Sequence, residues 1–163
     1  MSQSISVRRE ASVLIVEDHV SMREVIRSCI KRSFPDLLII EVSDGAAAIK
    51  YLEAHCPSLV LIDINLPDVD GFDLMRNVLK QWPCTFVAAI SIDTNADVTE
   101  QVRAVGALEY IGKDKLSTSL LPLVGAAVTL ANWTKDLESH FAITDESLLY
   151  AGHREEQVLE TGA

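Results

Sequence analysis

The 163-residue chain is poor in the residues that characterise secreted or fibrous proteins. It contains three cysteines, seven glycines and five prolines. Cys29, Cys56 and Cys84 form no C-x-x-C pair, which argues against both a disulfide framework and a zinc site. The cysteine usage therefore fits a reducing, cytoplasmic compartment.

Positive charge is also scarce. Fourteen lysine and arginine residues stand against twenty-four acidic residues, which gives a formal net charge of −10. A surface this negative repels phosphate backbones. We therefore expect no direct binding of nucleic acid by this chain.

The sequence has no long, uninterrupted apolar segment. The run behind Arg8 and Arg9 covers only residues 13–16 before the acidic pair Glu17-Asp18, too short for the core of a signal peptide. Residues 116–134 carry no formal charge, but polar side chains interrupt them, and they fall short of the roughly 20 predominantly apolar residues of a membrane span. We expect neither export nor a membrane association.

Hydrophobic residues make up 48% of the chain and charged residues 23%, which is close to the globular average. The length suits one domain of ordinary size with a short appendage. Short apolar runs rich in β-branched residues predict five strands: SVLIV (12–16), LLII (37–40), LVLID (59–63), TFVAAIS (85–91) and ALEYI (107–111). Most are continuously apolar, as in strands that are covered on both faces.

Apolar residues at helical spacing predict helices between these strands. The stripes are Met22, Val25, Ile26, Cys29 and Ile30; Phe72, Met75, Val78, Leu79 and Trp82; and Val98, Val102 and Val105. Asp44-Gly45 is predicted to open the second helix and Gly106 to close the fourth. The alternation predicts right-handed βαβ units, and hence an α/β fold in which a five-stranded parallel sheet is the middle layer of a three-layer α/β/α sandwich.

The sequence divides into residues 1–10 as an N-terminal extension, 11–131 as the folded domain, and 132–163 as a C-terminal helical extension and acidic tail or linker. From Ala131 onward there are seven acidic and two basic residues. Trp133, Leu137 and Phe141 are four residues apart and are expected to extend the last helix by two turns. Beyond Thr144 a linker or tail is expected.

Chemically distinctive residues follow the predicted strands. Glu17 and Asp18 follow strand 1, Asp63 ends strand 3, Ser91 ends strand 4 and Lys113 follows strand 5. The carboxyl ends of parallel strands meet at one edge of the sheet, where ligands bind. These five residues are therefore expected to lie together.

Three clustered carboxylates repel one another unless a cation neutralises them. Oxygen ligands suit a hard divalent ion, and Mg²⁺ is the expected cofactor because it retains waters that a phosphate can replace. Lys113 adds a compact positive charge on a flexible stem. Together these groups are the parts needed to place a phosphoryl group on Asp63.

The same residues resemble the receiver domain of two-component response regulators. The matching segments are VLIVEDH, LVLIDINLPDVDGFDL, the hydroxyl of Ser91 and GALEYIGKD, and they cover roughly residues 11–131. The resemblance implies a flavodoxin-like strand order of 2-1-3-4-5. It also implies that a histidine kinase or histidine phosphotransfer protein phosphorylates Asp63, without metabolic enzyme activity beyond self-phosphorylation and self-dephosphorylation.

The resemblance assigns a role to each matching position. Glu17, Asp18, Asp63 and the backbone carbonyl of Asn65 would hold Mg²⁺, while Ser91 and Lys113 would bind the phosphoryl oxygens.

A conformational switch is implied as well, in which Tyr110 swings inward as Ser91 moves toward the phosphate and a surface of helix 4, strand 5 and helix 5 signals to partners. Asn65 and Asp93 resemble positions that tune dephosphorylation. His19 follows the acidic pair but is predicted to be a surface residue at a helix start, since no second histidine stands at ligand spacing.

Helix 5 shows apolar surface outside its core stripe at Leu121, Pro122, Ala126 and Leu130. We expect a homodimer or a protein partner to bind there. The alternative is that the chain's own tail covers this surface through Trp133 and Phe141.

Three functions compete. The first is a receiver that signals through protein contacts. The second is the receiver part of a DNA-binding regulator whose helix-turn-helix output domain is truncated, because HREEQVL (153–159) resembles the start of such a domain. The third is a phosphatase of the haloacid-dehalogenase type, which needs an aspartate where this chain has Asn65.

Overall fold

The computed structural model describes residues 10–93 and 95–155, and side-chain surroundings for 10–93, 95–134 and 136. Strands and helices alternate along the chain, as predicted. They are β1 (Ser12–Val16), α1 (Val20–Ser33), β2 (Leu38–Val42), α2 (Gly45–Leu52), β3 (Leu59–Asp63), α3 (Gly71–Gln81), β4 (Phe86–Ser91), α4 (Ala96–Val105), β5 (Glu109–Gly112), a 3₁₀ turn (Lys113–Lys115) and α5 (Leu116–Glu155).

The five strands form one parallel sheet in the order β2-β1-β3-β4-β5. This is the flavodoxin-like order that the resemblance implied. The second and fifth strands lie one to two residues further along the chain than the apolar runs indicated. β2 and β5 are the edge strands, and β2 is only partly buried.

Two hydrophobic cores cover the sheet, because successive side chains of a strand point to opposite faces. Val13 and Ile15 of β1 pack with buried residues of α1 and α5. Leu14 and Val16 pack with buried residues of α2, α3 and α4. The central strands β1 and β3 are buried along their whole length, which explains their uninterrupted apolar sequences.

The predicted helix boundaries at Asp44 and Gly106 are confirmed. The Asp44 carboxylate accepts a hydrogen bond from the Ala47 backbone N–H and so caps α2. Gly106 ends α4 with φ of 94°, in the left-handed region that glycine adopts without steric cost.

The last helix is longer than predicted. α5 continues for 40 residues to Glu155, so the expectation of a linker beyond Thr144 is wrong as far as that residue. Between positions 131 and 155 there is no proline and only one glycine, and nothing therefore interrupts the helix despite the acidic composition.

One stretch of the described residues, Lys113–Thr134, is long and apolar enough to cross a membrane by length and composition alone. Leu120, Val124 and Ala127 within it are fully buried against the sheet. Packing in the core of the domain accounts for the apolar residues on that side of the helix.

Candidate functional site

The strand ends bring the predicted site residues to one edge of the sheet. Asp63 is the last residue of β3 and Ser91 the last of β4. Ser91 lies opposite Gly112 in the β4–β5 register, which places Lys113 immediately beyond that pair. Glu17 follows β1, the neighbour of β3 on its other side.

Lys113 joins two buried carboxylates. Its Nζ lies 2.7 Å from Oδ2 of Asp63, to which it donates a hydrogen bond, and 2.7 Å from Oε2 of Glu17. The Lys113 side chain is 7% exposed and each carboxylate side chain 2%. Burial lowers the pKa of Lys113, but its bonds and attraction to Asp63 and Glu17 outweigh burial and leave the pKa above its ordinary value. The lysine is therefore a fixed cation at neutral pH.

The other oxygen of the Asp63 carboxylate is held by the loop that follows. Its Oδ1 accepts a hydrogen bond of 3.1 Å from the Asn65 backbone N–H. Behind this loop, a Cβ atom on Gly71 would lie 2.6 Å from the Ile64 backbone and 2.8 Å from the Asp63 carbonyl oxygen. The start of α3 can approach the Asp63 backbone so closely only because residue 71 has no side chain.

An acidic cluster surrounds this pair. Ligand atoms of Glu17, Asp18, His19 and Asp63 all lie within 4.8 Å of one another. Two of the buried oxygens, Oε2 of Glu17 and Oδ1 of Asp18, accept no hydrogen bond, although each is in ion-pair contact with a cationic or potentially cationic side chain. Carboxylate oxygens grouped this closely are the ligands that a hard divalent cation such as Mg²⁺ prefers.

Arg23 fixes the backbone of the acidic pair. Its Nη1 donates hydrogen bonds of 2.6 Å to the Glu17 carbonyl and 3.1 Å to the Asp18 carbonyl. Sequence reasoning assigned Arg23 no site role. Its position one helical turn after His19, in the first turns of α1, is the signal that could have shown it.

A second set of contacts links Ser91 to Tyr110. Ser91 is 1% exposed, and its hydroxyl accepts a 3.1 Å hydrogen bond from the Asp93 backbone N–H. The Tyr110 hydroxyl donates to the Asp93 carbonyl. Burial, followed by the negative charges of Asp93 and Asp114, raises the pKa of Tyr110, so the phenol remains a neutral donor.

The loop after Asp63 is also joined to α2. The two carboxylate oxygens of Asp68 accept hydrogen bonds of 2.9 Å from the backbone N–H groups of Gly45 and Ala46. These are donors that the first turn of a helix cannot satisfy itself. Asp68 is a further residue that sequence reasoning missed, because its two partners lie 23 and 22 positions away.

His19 lies at the start of a helix, as predicted, and it also contacts the acidic cluster. It is the N-cap residue that precedes α1, and its side chain is 69% exposed, as expected of a surface residue at a helix start. Its Nδ1 also lies 2.7 Å from Oδ1 of Asp18 and 3.3 Å from Oε1 of Glu17. The histidine therefore belongs to the acidic cluster.

The apolar surface expected on α5 is only partly as predicted. Pro122, Ala126 and Leu130 are exposed, and Trp133 is 61% exposed. Leu121 is half-buried. It precedes Gly125 by one turn, on the side of α5 that approaches Phe34. Leu121 therefore does not share the exposed face, which we call the α5 stripe (Pro122, Ala126, Leu130 and Trp133).

Comparison with protein families matches residues 13–124 to the response regulator receiver domain. The protein-glutamate methylesterase/protein-glutamine glutaminase of Pyrococcus horikoshii is 31% identical over 114 residues, which are 69% of this chain and 31% of that protein. The transcriptional regulatory protein PdtaR of Mycobacterium tuberculosis is 27% identical over 136 residues, 83% of this chain and 65% of that protein. The chain thus spans about a third to two thirds of the length of these relatives.

Solved structures show the same fold. The CheY-like receiver domain protein of Methanospirillum hungatei JF-1 has a TM-score of 0.67 at 19% identity, and covers 76% of this chain and 98% of its own. The receiver domain of a putative Luxo repressor protein from Vibrio parahaemolyticus has a TM-score of 0.67 at 25% identity, with 79% and 98% covered.

Proposed function

Because the chain belongs to the response regulator receiver domain family, we propose that it accepts a phosphoryl group on Asp63 from a histidine kinase or a histidine phosphotransfer protein. Members of this family interact with such partners and are generally non-enzymatic in themselves. We propose that the domain comprises residues 11–131, between extensions at 1–10 and 132–163.

One observation carries the proposal: a buried aspartate carboxylate is held against an ammonium group in an acidic cluster. In the transfer, one Asp63 oxygen forms the bond to phosphorus as the bond from phosphorus to the donor's imidazole nitrogen breaks, and the imidazole leaves with a proton. Lys113 already lies 2.7 Å from Oδ2 of Asp63, where it would neutralise charge on the phosphoryl oxygens.

We propose that Glu17, Asp18, Asp63 and the backbone carbonyl of Asn65 hold Mg²⁺. The ion would supply charge neutralisation for the incoming phosphoryl oxygens. The close grouping of the Glu17, Asp18 and Asp63 carboxylates supports this assignment, as does Oδ1 of Asp18, which is buried and accepts no hydrogen bond. Arg23 would keep the acidic pair in place through its backbone bonds.

The contacts of Asp93 suggest how phosphorylation reaches the surface. The Ser91 hydroxyl accepts from the Asp93 N–H and keeps its own O–H free to donate to a phosphoryl oxygen, so a movement of Ser91 toward that oxygen would pull on the Asp93 backbone. The Asp93 carbonyl, which accepts from Tyr110, belongs to the same residue. We propose that this residue couples Ser91 to Tyr110 and to the face formed by α4, β5 and α5. Asn65 and Asp93 are proposed to tune the hydrolysis of the phosphoryl group.

Incubation with phosphoramidate and Mg²⁺, followed by intact mass measurement, tests the central step. We expect a gain of one phosphoryl group by the wild-type chain and by Asp36→Asn, an exposed aspartate outside the site. Asp63→Asn should gain none. The assignment would be overturned if Asp63→Asn gained as much phosphoryl group as the wild type, or if the wild type gained none from any phosphodonor.

The α5 stripe supports a second element of the proposal, a homodimer or protein partner that contacts this face. Leu130→Glu should reduce the mass measured by light scattering, while Asn132→Glu, exposed two residues further along the helix, should not. Coverage of the stripe by the chain's own tail would instead leave the mass unchanged and lower the stability of Leu130→Glu.

The two remaining alternatives have less support. A truncated DNA-binding regulator is not favoured, because its support is the short HREEQVL segment, of which only residues 153–155 lie in the described structure, at the end of α5. A phosphatase would need a second aspartate where Asn65 stands, and slow self-hydrolysis is the only turnover we propose. A cytoplasmic location is proposed together with the signalling role.

A further inference from the structure

Among the described residues that surround Asp63, His19 is the one nitrogen-bearing ring in the acidic cluster. It is absent from the proposed Mg²⁺ ligand set. Its ring position is constrained from both sides, because its backbone N–H donates to Oε1 of Glu17 at 3.3 Å while its Nδ1 lies among the same carboxylates. His19 is therefore oriented by the residues that would hold the ion.

The spacing of the donor atoms is close to that of an ion's coordination sphere. In an octahedron with bonds of about 2.1 Å, neighbouring ligands are about 3.0 Å apart and opposite ligands about 4.2 Å apart. Nδ1 of His19 lies 2.7 Å from Oδ1 of Asp18 and 3.3 Å from Oε1 of Glu17, distances that bracket the neighbouring-ligand value. The ligand atoms of the four residues all lie within 4.8 Å of one another, which is only slightly more than the distance between opposite ligands of such an ion.

One feature beside this spacing indicates that the cluster receives a ligand. Oδ1 of Asp18, the oxygen closest to the histidine ring, is buried and accepts no hydrogen bond, and its ion-pair contact is with the exposed His19 ring. Oε2 of Glu17, by contrast, already has Nζ of Lys113 at 2.7 Å. A cation beside Asp18 would give the buried oxygen of that residue a charged partner.

We propose that His19 is an additional side-chain ligand, which gives the site a mixed nitrogen and oxygen donor set and a preference for first-row transition dications over Mg²⁺. This inference depends on the metal site of the proposed function. Neutral imidazole with its proton on Nε2 presents a lone pair on Nδ1. Imidazole suits ions such as Co²⁺ and Ni²⁺, whereas Mg²⁺ takes oxygen ligands.

The test uses the full chain, titrated calorimetrically with CoCl₂ or MgCl₂ and studied by electron spin-echo envelope modulation with MnCl₂. His19→Gln keeps an amide N–H that can bond to Asp18 but removes the ring nitrogen. We expect it to weaken Co²⁺ binding at least about tenfold, because loss of even a residue that only supports a metal ligand typically costs that much, and to change Mg²⁺ affinity much less. The ¹⁴N modulation from a coordinated ring should be present with the wild type and absent with His19→Gln.

His55→Gln is the matched control, since His55 is exposed and lies in the described structure outside the cluster. It should leave both affinities and the modulation unchanged. Equal weakening of Co²⁺ and Mg²⁺ by His19→Gln would overturn the inference and show that the ring only positions the carboxylates. Unchanged Co²⁺ affinity would overturn it as well.

The outcome also separates this inference from the function it depends on. Asp63→Asn should weaken both ions. If the wild-type chain binds Mg²⁺ but shows no nitrogen modulation, His19 is not a ligand and the phosphoacceptor proposal stands. If the wild type binds neither ion, both the His19 assignment and the metal part of the proposed function are wrong.

Discussion

Replacing Lys113 by methionine isolates the role of the single ammonium group that joins two buried carboxylates. Methionine retains much of the length and apolar volume of the lysine stem but has no charge. In the variant, Glu17 and Asp63 lose a cation 2.7 Å away while each remains 2% exposed. Removing one partner of a buried ion pair typically costs about 3–5 kcal/mol, because the other charge is left uncompensated.

We expect a value near the lower end, about 3 kcal/mol, because the site lies at the edge of the sheet where water can approach. For a chain of this size such a loss lowers the melting temperature by about 6–12 °C. Urea unfolding followed by circular dichroism, in the presence of EDTA, measures it. The midpoint should fall while the m-value stays unchanged.

Mg²⁺ should restore part of the stability, and more of it in Lys113→Met than in the wild type. The ion would neutralise the same oxygens, and a ligand at 100 times its dissociation constant stabilises by about 2.7 kcal/mol. Lys115→Met is the matched control, since Lys115 is exposed in the same 3₁₀ turn. An unchanged midpoint for Lys113→Met, or an equal loss for Lys115→Met, would refute the reasoning.

The same ion pairs predict an alkaline dependence of stability. Although burial lowers the pKa of Lys113, its bonds to Asp63 and Glu17 raise it above the unfolded value. A raised pKa means that the lysine's contribution is fully present below about pH 10.4 and is lost as the pH rises through the folded pKa. The stability difference between wild type and Lys113→Met should therefore be constant near neutrality and shrink in strong alkali.

Three further substitutions test the packing around the site by urea unfolding, and Gly125→Ala, away from the site, serves as a comparison. Gly71→Ala should lower the free energy of unfolding by about 1–3 kcal/mol, because the added Cβ would lie 2.6 Å from the Ile64 backbone. Gly125→Ala should raise it by about 0.5–1 kcal/mol through helix propensity, because its Cβ would lie 3.6 Å from the nearest atom. Asp68→Ala should cost about 1 kcal/mol through the lost cap of α2. Tyr110→Phe should cost no more than about 1 kcal/mol and should leave phosphorylation of Asp63 intact; loss of labelling would contradict its proposed switch role.

The sequence predicted the elements of the sheet well because burial on both faces leaves a strong signal. β1 and β3 are buried throughout, and their uninterrupted apolar runs located them correctly. The strand order was implied by the family resemblance, since spacing along a chain does not specify which strands are neighbours. The length of α5 was underestimated, because an acidic composition was interpreted as a linker although the segment contains few helix breakers.

The site was predicted to the extent that it consists of strand ends. Asp63, Ser91 and Lys113 were located by that rule. Arg23 and Asp68 act through backbone groups, and a backbone carbonyl or N–H has no signature in the sequence. Leu121 was assigned to the exposed face because its apolar character was visible, while its half-buried state depends on how α5 rotates against α1.

The placement of the carboxylates at the ends of β1 and β3 has an energetic consequence. Parallel strands bring Glu17 and Asp63 together by register, whether or not a ligand is present. A cluster of like charges opposes folding, and Lys113 offsets that repulsion only for the two oxygens it reaches. Among the described residues, Oδ1 of Asp18 has only the exposed His19 ring as a partner. The side of the cluster formed by Asp18 and His19 is therefore where an added cation gains the most, and the arrangement links metal binding to the stability of the sheet edge that carries Asp63.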